Sequence, residues 1–210
     1  GAAVIGAMKA IADLKLPVNV VGLVPSTENL INGSATKPGD VHYARNGKSF
    51  QVDNTDTEGR LILADALVYA SELKPAAIVD VATLTGAIMI ALGNIYTGLF
   101  TRSEAMRKNL QAAADASGEW IWPMPICDHH VHDMKGRWAD LSNLPASRQA
   151  GSSTAAAFLE QFVGEGIPWA HLDIAGTAWN VHNRLNYCPR GPGASGVMVR
   201  TFVELARSHK

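Results

Sequence analysis

The feature that most restricts the fold is an alternation of short apolar runs with longer stretches of helix formers. Val18–Val24 is a β-branched run, and Ala76–Ala82 is apolar except for Asp80. These read as strands buried on both faces, which need cover on each side, and Trp169–Ile174 reads as another strand. Ile95–Thr101 supplies a further strand. Between them the residues favour helix over Ala3–Leu14 (ended by Pro17), Leu61–Leu73, Ser103–Ser117, Ser152–Val163 and Ser195–Ala206. Leu61–Leu73 is nearly all apolar, so a buried helix is expected there. Asn46-Gly47 separates Val41–Arg45 from Lys48–Val52, the strongest short-range hairpin signal a sequence offers. Pro25–Asp40 reads as a loop, and the Trp- and Pro-rich stretch 120–150 as irregular. The expected fold is α/β: a mixed, largely parallel central sheet flanked by helices, with residues 1–210 forming a single domain.

Composition narrows the function. Of 210 residues, 47% are hydrophobic and 18% charged, which suits a packed core and not a disordered tail. The longest apolar stretch, Leu84–Leu92, is too short to cross a bilayer and reads as buried core, so no membrane partner is expected. A formal charge of −1 gives no basic surface for a phosphate backbone, so no nucleic-acid partner is expected either. Cys127 and Cys188 are far apart, outside any disulfide framework or thiolate zinc knuckle. That usage suits a reducing compartment, and a cytoplasmic location is expected. The chain opens at Gly1 directly in a helical pattern and reads as a piece of a longer protein, incomplete at its N-terminus.

Chemistry concentrates in Asp53-Asn54-Thr55-Asp56-Thr57-Glu58-Gly59-Arg60, between the hairpin and the apolar helix. Open α/β sheets bind ligands where strands hand over to helices. Hard divalent ions prefer carboxylate oxygens, and a turn bearing Asp-x-Glu can aim both side chains into one cavity. Arg60 adds a planar fork suited to an oxyanion. Spacing alone favours a Thr55-x-x-Glu58 capping box over a metal site, with acidic residues complementing the helix dipole. The two readings do not exclude each other.

The string Asn54-Thr55-Asp56-Thr57-Glu58-Gly59-Arg60-Leu61, running on through Leu67, resembles the signature of the leucyl aminopeptidase (cytosol aminopeptidase) family. The resemblance includes Lys37-Pro38-Gly39-Asp40, Asp80–Ala87, Ser117-Gly118-Glu119, Trp169–Thr177, Gly193–Gly196 and Val199-Arg200-Thr201, in order along nearly the whole chain. It implies that Asp56 and Glu58 are ligands of a two-metal centre. It also implies that Arg60 helps hold a bicarbonate serving as general base. Thr83, Leu84 and Gly86 match substrate-contacting positions, and Ala175 and Ala178 match part of the pocket for the first residue. The implied cofactors are two divalent ions, Zn or Mn, with Mg or Co also accommodated by carboxylates. The implied substrates are peptides with a free N-terminus, leucine-like first residues preferred, and the implied assembly is a homo-hexamer. The family's remaining ligands, a Lys and further Asp residues, and its catalytic Lys precede the matching segment. Residues 1–210 alone are therefore expected to be inactive.

Other signals are weaker. Asp128–Asp133 carries three histidines, but lacks the i, i+4 zinc-helix spacing and reads as solvated, with His130 and His132 on one face if extended. His171 and Asp173 alternate on one strand face and read as a buried hydrogen-bonded pair. Gly191–Gly196 fits no phosphate-loop spacing and reads as a tight turn and N-cap. Two alternative functions are a catalytically silent homologue acting as an oligomeric or binding protein, and a nucleotide-binding module. The second would need an acidic ribose-binding residue after a strand–glycine–helix unit, which the sequence lacks.

Overall fold

The computed structural model describes residues 1–179, 181 and 193–209. In chain order the elements are α1 (Ala2–Asp13), β1 (Val41–Tyr43), β2 (Ser49–Gln51), a 3-10 turn (Thr55–Thr57), α2 (Gly59–Glu72), β3 (Ile78–Ala82), α3 (Gly86–Leu92), β4 (Thr97–Phe100), α4 (Glu104–Ser117), β5 (Ile121–Pro123), α5 (Asp128–Asp133), β6 (Leu141–Ser142), α6 (Gly151–Glu160), β7 (Trp169–Asp173) and α7 (Val199–Ser208). This is a mixed α/β fold with helices flanking its sheets. The chain forms two compact units, one of Gly1–Val24, Val79–Met124 and Pro168–Lys210, the other of Pro25–Ile78 and Pro125–Ile167.

The first unit holds a sheet in the order β3-β7-β4-β5. β4 runs antiparallel to β7 and parallel to β5. The Ile174 N–H donates to the Ala82 carbonyl at 2.9 Å, so the C-terminal ends of β3 and β7 lie side by side. β7 is buried throughout, its two polar residues His171 and Asp173 included. α4 packs on α7, and α1 also contacts α7. Ser103 caps α4, its Oγ accepting the Met106 N–H, and Gly118 closes it in the left-handed region at φ 74°. Just beyond, the fully buried Glu119 accepts the Met198 N–H at 2.7 Å on one oxygen. Its other oxygen takes the Thr201 N–H at 3.0 Å and the Thr201 hydroxyl at 2.6 Å. A carboxylate thus anchors the start of α7, where the dipole favours negative charge.

In the second unit, β1 and β2 form the hairpin, with Tyr43 opposite Ser49, and Gly47 turns at φ 83°. β6 extends it in parallel beside β2. α2 and α5 each pack on α6, whose residues Ser152–Leu159 are all buried.

Several expectations differ. Val18–Val24 is not a strand. It runs back along α1, where a Cβ on Gly22 would crowd Met8 and Val4, and Val20 and Val21 stay exposed. β-branched residues favour strands only where a neighbour completes the ladder. Leu84–Leu92 is not buried core: α3 buries Ile88 and leaves Ile90 exposed. α2 buries only Arg60, Ala64, Leu67 and Val68, one face at helical spacing, and so is not buried all round. The 120–150 stretch contains β5, α5 and β6. Of the Gly191–Gly196 turn, residues 191 and 192 lie outside the described residues, as does Cys188. α7 is capped at Met198 and not at Ser195, whose Oγ instead accepts the Val197 N–H at 3.3 Å.

Candidate active site

The acidic segment leaves β2 at Val52 and is gripped from β6 before it reaches α2. Asn143, fully buried, accepts the Asp53 N–H at 2.8 Å and the Asn54 N–H at 3.2 Å on its Oδ1, and its Nδ2 donates to the Asn54 carbonyl at 2.7 Å. The Asp53 carboxylate accepts from Gln51 Nε2 at 2.9 Å and from Ser142 Oγ at 2.7 Å. Asp53 is therefore spent on architecture. Asn54 then caps the 3-10 turn, its Oδ1 accepting the Asp56 N–H at 2.8 Å. The capping box read from Thr55 and Glu58 does not form: Glu58 occupies the α2 N-cap position with no side-chain capping bond.

Freed from capping, the two carboxylates stand uncommitted. Among the described residues the one donor reaching either is Asn29, whose Nδ2 lies 3.4 Å from Glu58 Oε1. Asp56 is exposed, Glu58 half-buried, and Arg60 buried in the first turn of α2. This donor set fits a hard divalent ion by its chemistry, two carboxylates at a helix start. It fits as part of a coordination sphere, because among the described residues no group of three or more His, Cys, Asp or Glu is placed to hold a metal.

The other predicted residues lie in the first unit. Thr83, Leu84 and Gly86 form the turn from β3 into α3, at the carboxyl end of a strand. Thr83 and Gly86 are exposed, and a side chain at Gly86 would meet nothing. Thr85, between them, caps α3, accepting the Ile88 N–H at 3.2 Å. Ala175 is buried and Ala178 exposed, in the turn after β7, where the Ala178 N–H donates to the Ile174 carbonyl at 2.9 Å. Gly176 in that turn is obligatory, because a Cβ there would overlap the Gly93 carbonyl.

His171 and Asp173 do not pair with each other. His171 Nδ1 bonds Asp80 at 2.6 Å, and Trp169 Nε1 donates to the other Asp80 oxygen at 2.7 Å. Asp173 reaches instead to Leu84, Thr85 and Ala175. The partners run across strands, which residue spacing along one strand does not reveal. The histidines of α5 sit on a six-residue helix and not a strand, His129 and His132 exposed.

Comparison with known proteins decides the family. Residues 1–203 match the model of the cytosol aminopeptidase family, catalytic domain. The chain belongs to that family. A probable cytosol aminopeptidase of Bdellovibrio bacteriovorus is 69% identical over 209 residues, all of this chain and 42% of the relative. One from Geobacter sulfurreducens is 49% identical over 207 residues, 99% of this chain and 41% of that protein. The chain thus spans about two fifths of the length of these cytosol aminopeptidases. A tomato leucine aminopeptidase mutant superimposes with a TM-score of 0.87 at 41% identity, over 98% of this chain and 39% of that one. The bottromycin maturation enzyme BotP in complex with Mn gives 0.92 at 38% identity, over 99% of this chain and 46% of that one.

Proposed function

We propose that this chain is part of the catalytic domain of a metal-dependent aminopeptidase that removes leucine-like residues from peptide N-termini. The observation that carries the reading is the pair of uncommitted carboxylates, Asp56 and Glu58, presented by a braced turn ahead of Arg60. The Mn complex of a family relative supports metal dependence.

Asp56 and Glu58 would hold two divalent ions together with ligands outside residues 1–210. Bound, such ions activate water near neutral pH and polarise a carbonyl. The chain's own residues supply the rest. Asn143 and Asn54 hold the backbone of the turn, so both carboxylates project from fixed positions, which preorganises the site. Arg60, always charged, would hold a bicarbonate that takes a proton from water. Thr83, Leu84 and Gly86 bind the substrate backbone, and Ala175 and Ala178, being small, leave room for a bulky apolar first side chain. We assign the whole of 1–210 to one partial catalytic domain, inactive by itself, and the complete protein to a cytoplasmic homo-hexamer.

The test splices residues 1–210 in place of the matching segment of the Bdellovibrio relative and follows leucine-amide hydrolysis with Mn²⁺ or Zn²⁺. Activity in the spliced protein, absent from 1–210 alone and abolished by Glu58→Ala, is the expected result. A correctly folded spliced protein without activity would overturn the reading in favour of a silent homologue.

A further inference from the structure

Asp173 is a buried acid to which the proposed chemistry gives no part. It ends β7 and is 1% exposed. Its Oδ1 accepts the N–H of Leu84 at 3.1 Å and the N–H of Ala175 at 3.2 Å, and its Oδ2 accepts the Thr85 hydroxyl at 2.7 Å. Burying a carboxylate is costly unless donors reach its oxygens, and both oxygens are met by these three donors.

The secondary structure does not require these bonds. β3 and β7 already join through the Ile174 N–H and the Ala82 carbonyl. α3 already has its cap in Thr85 Oγ. All three bonds go instead to the two loops at the carboxyl ends of adjacent strands: residues 83–86 after β3, and 175–178 after β7. One oxygen atom holds a backbone amide from each loop, so their separation is set by that atom. The second oxygen can only accept, which commits the Thr85 proton to it and leaves the Thr85 lone pairs facing Ile88 N–H. The same hydroxyl thus ties Asp173 to the first turn of α3.

Resting on the aminopeptidase reading above, we infer that Asp173 is a positioning residue for first-residue specificity. It registers the backbone-binding loop of Leu84 against the pocket loop of Ala175. Without it the two loops separate, the pocket no longer matches a leucine-like side chain, and discrimination falls together with affinity. It touches neither substrate nor the reacting atoms.

The experiment measures kcat and KM of the spliced full-length protein for the p-nitroanilides of leucine and alanine, with Asp173→Ala and Asp173→Asn, all below their melting temperatures. Asp173→Ala is expected to lose about 10- to 100-fold in kcat/KM for leucine, mainly through KM, since small displacements in a substrate-positioning loop cost that much. Its leucine-to-alanine preference is expected to drop by about fivefold or more, while Mn²⁺ binding stays unchanged. Asp173→Asn keeps an oxygen for the two amides and should recover most of the preference. An unaltered preference in Asp173→Ala, with any loss confined to the amount of folded protein, would overturn the inference while leaving the aminopeptidase reading intact. Failure of the unsubstituted spliced protein to hydrolyse either substrate would sink both.

Discussion

Asn143 grips Asn54 by both of its backbone polar groups: its Oδ1 accepts the Asn54 N–H and its Nδ2 donates to the Asn54 carbonyl. The same Oδ1 takes the Asp53 N–H. A single buried amide therefore fixes the chain two residues ahead of Asp56. Asn143→Ala should cost about 1–2 kcal/mol by removing three hydrogen bonds to part-buried backbone groups. It should also weaken Mn²⁺ binding in the spliced protein, because the backbone that carries Asp56 and Glu58 loses its brace. Urea unfolding checks the first expectation and calorimetric titration the second. Unchanged metal affinity in a folded variant would contradict the bracing role.

Glu119 offers a test of stability remote from the acidic turn. Its two oxygens accept three donors at the start of α7. Glu119→Gln turns an amide NH₂ toward one set of these donors, and should destabilise by about 2–3 kcal/mol. The urea midpoint followed by far-ultraviolet circular dichroism measures it. A shift under about 0.5 kcal/mol would mean that the anchor is dispensable.

α1 and α2 end alike, each followed by a lysine in the left-handed region, Lys15 at φ 49° and Lys74 at φ 51°. A Cβ is disfavoured there, and glycine is the usual occupant. Lys74→Gly should therefore stabilise by about 0.5–1 kcal/mol, read as a higher denaturation midpoint. A lower midpoint would show that the lysine charge at the helix C-terminus matters more than the strain.

Acid sensitivity follows from two exposed carboxylates of the second unit. The side-chain hydrogen bonds from Arg45 Nε and Nη2, with the guanidinium charge, hold Glu72 below its usual range. The Ser49 N–H and hydroxyl, each at 2.8 Å, do the same for Asp140. A depressed folded value means that the stabilisation is complete above the unfolded value and is lost as pH falls through the folded one. Stability should thus be level through neutrality and decline below about pH 4.5, with Glu72→Gln flattening part of that decline. Urea midpoints between pH 3 and 7 measure the slope. A decline already under way at pH 6 would point to other groups.

Much of this was legible in the residues because the signals are local. Asn46-Gly47 marks the hairpin turn, Ser103 and Gly118 bracket α4, and the long string from Asn54 to Leu67 carries the family. The misreadings share a cause, which is that partners distant in sequence decide them. Val18–Val24 has strand composition, yet a strand exists only when another backbone answers it. Thr55 and Glu58 have capping-box spacing, but Asn143, 89 residues from Asn54, holds the turn in another geometry. His171 and Asp173 share a strand face, yet their partners come from β3 and the loop after it. Nothing local marks Asn143, and spacing gives Asp173 the wrong partner; each matters through what the fold brings to it.

The most direct test of the central claim is calorimetric Mn²⁺ titration of the spliced full-length protein beside its Asp56→Asn and Glu58→Gln variants. Saturable binding that falls by about tenfold or more in each variant, with folding intact, is the predicted result. Equal affinity in all three proteins would contradict the assignment of Asp56 and Glu58 as metal ligands.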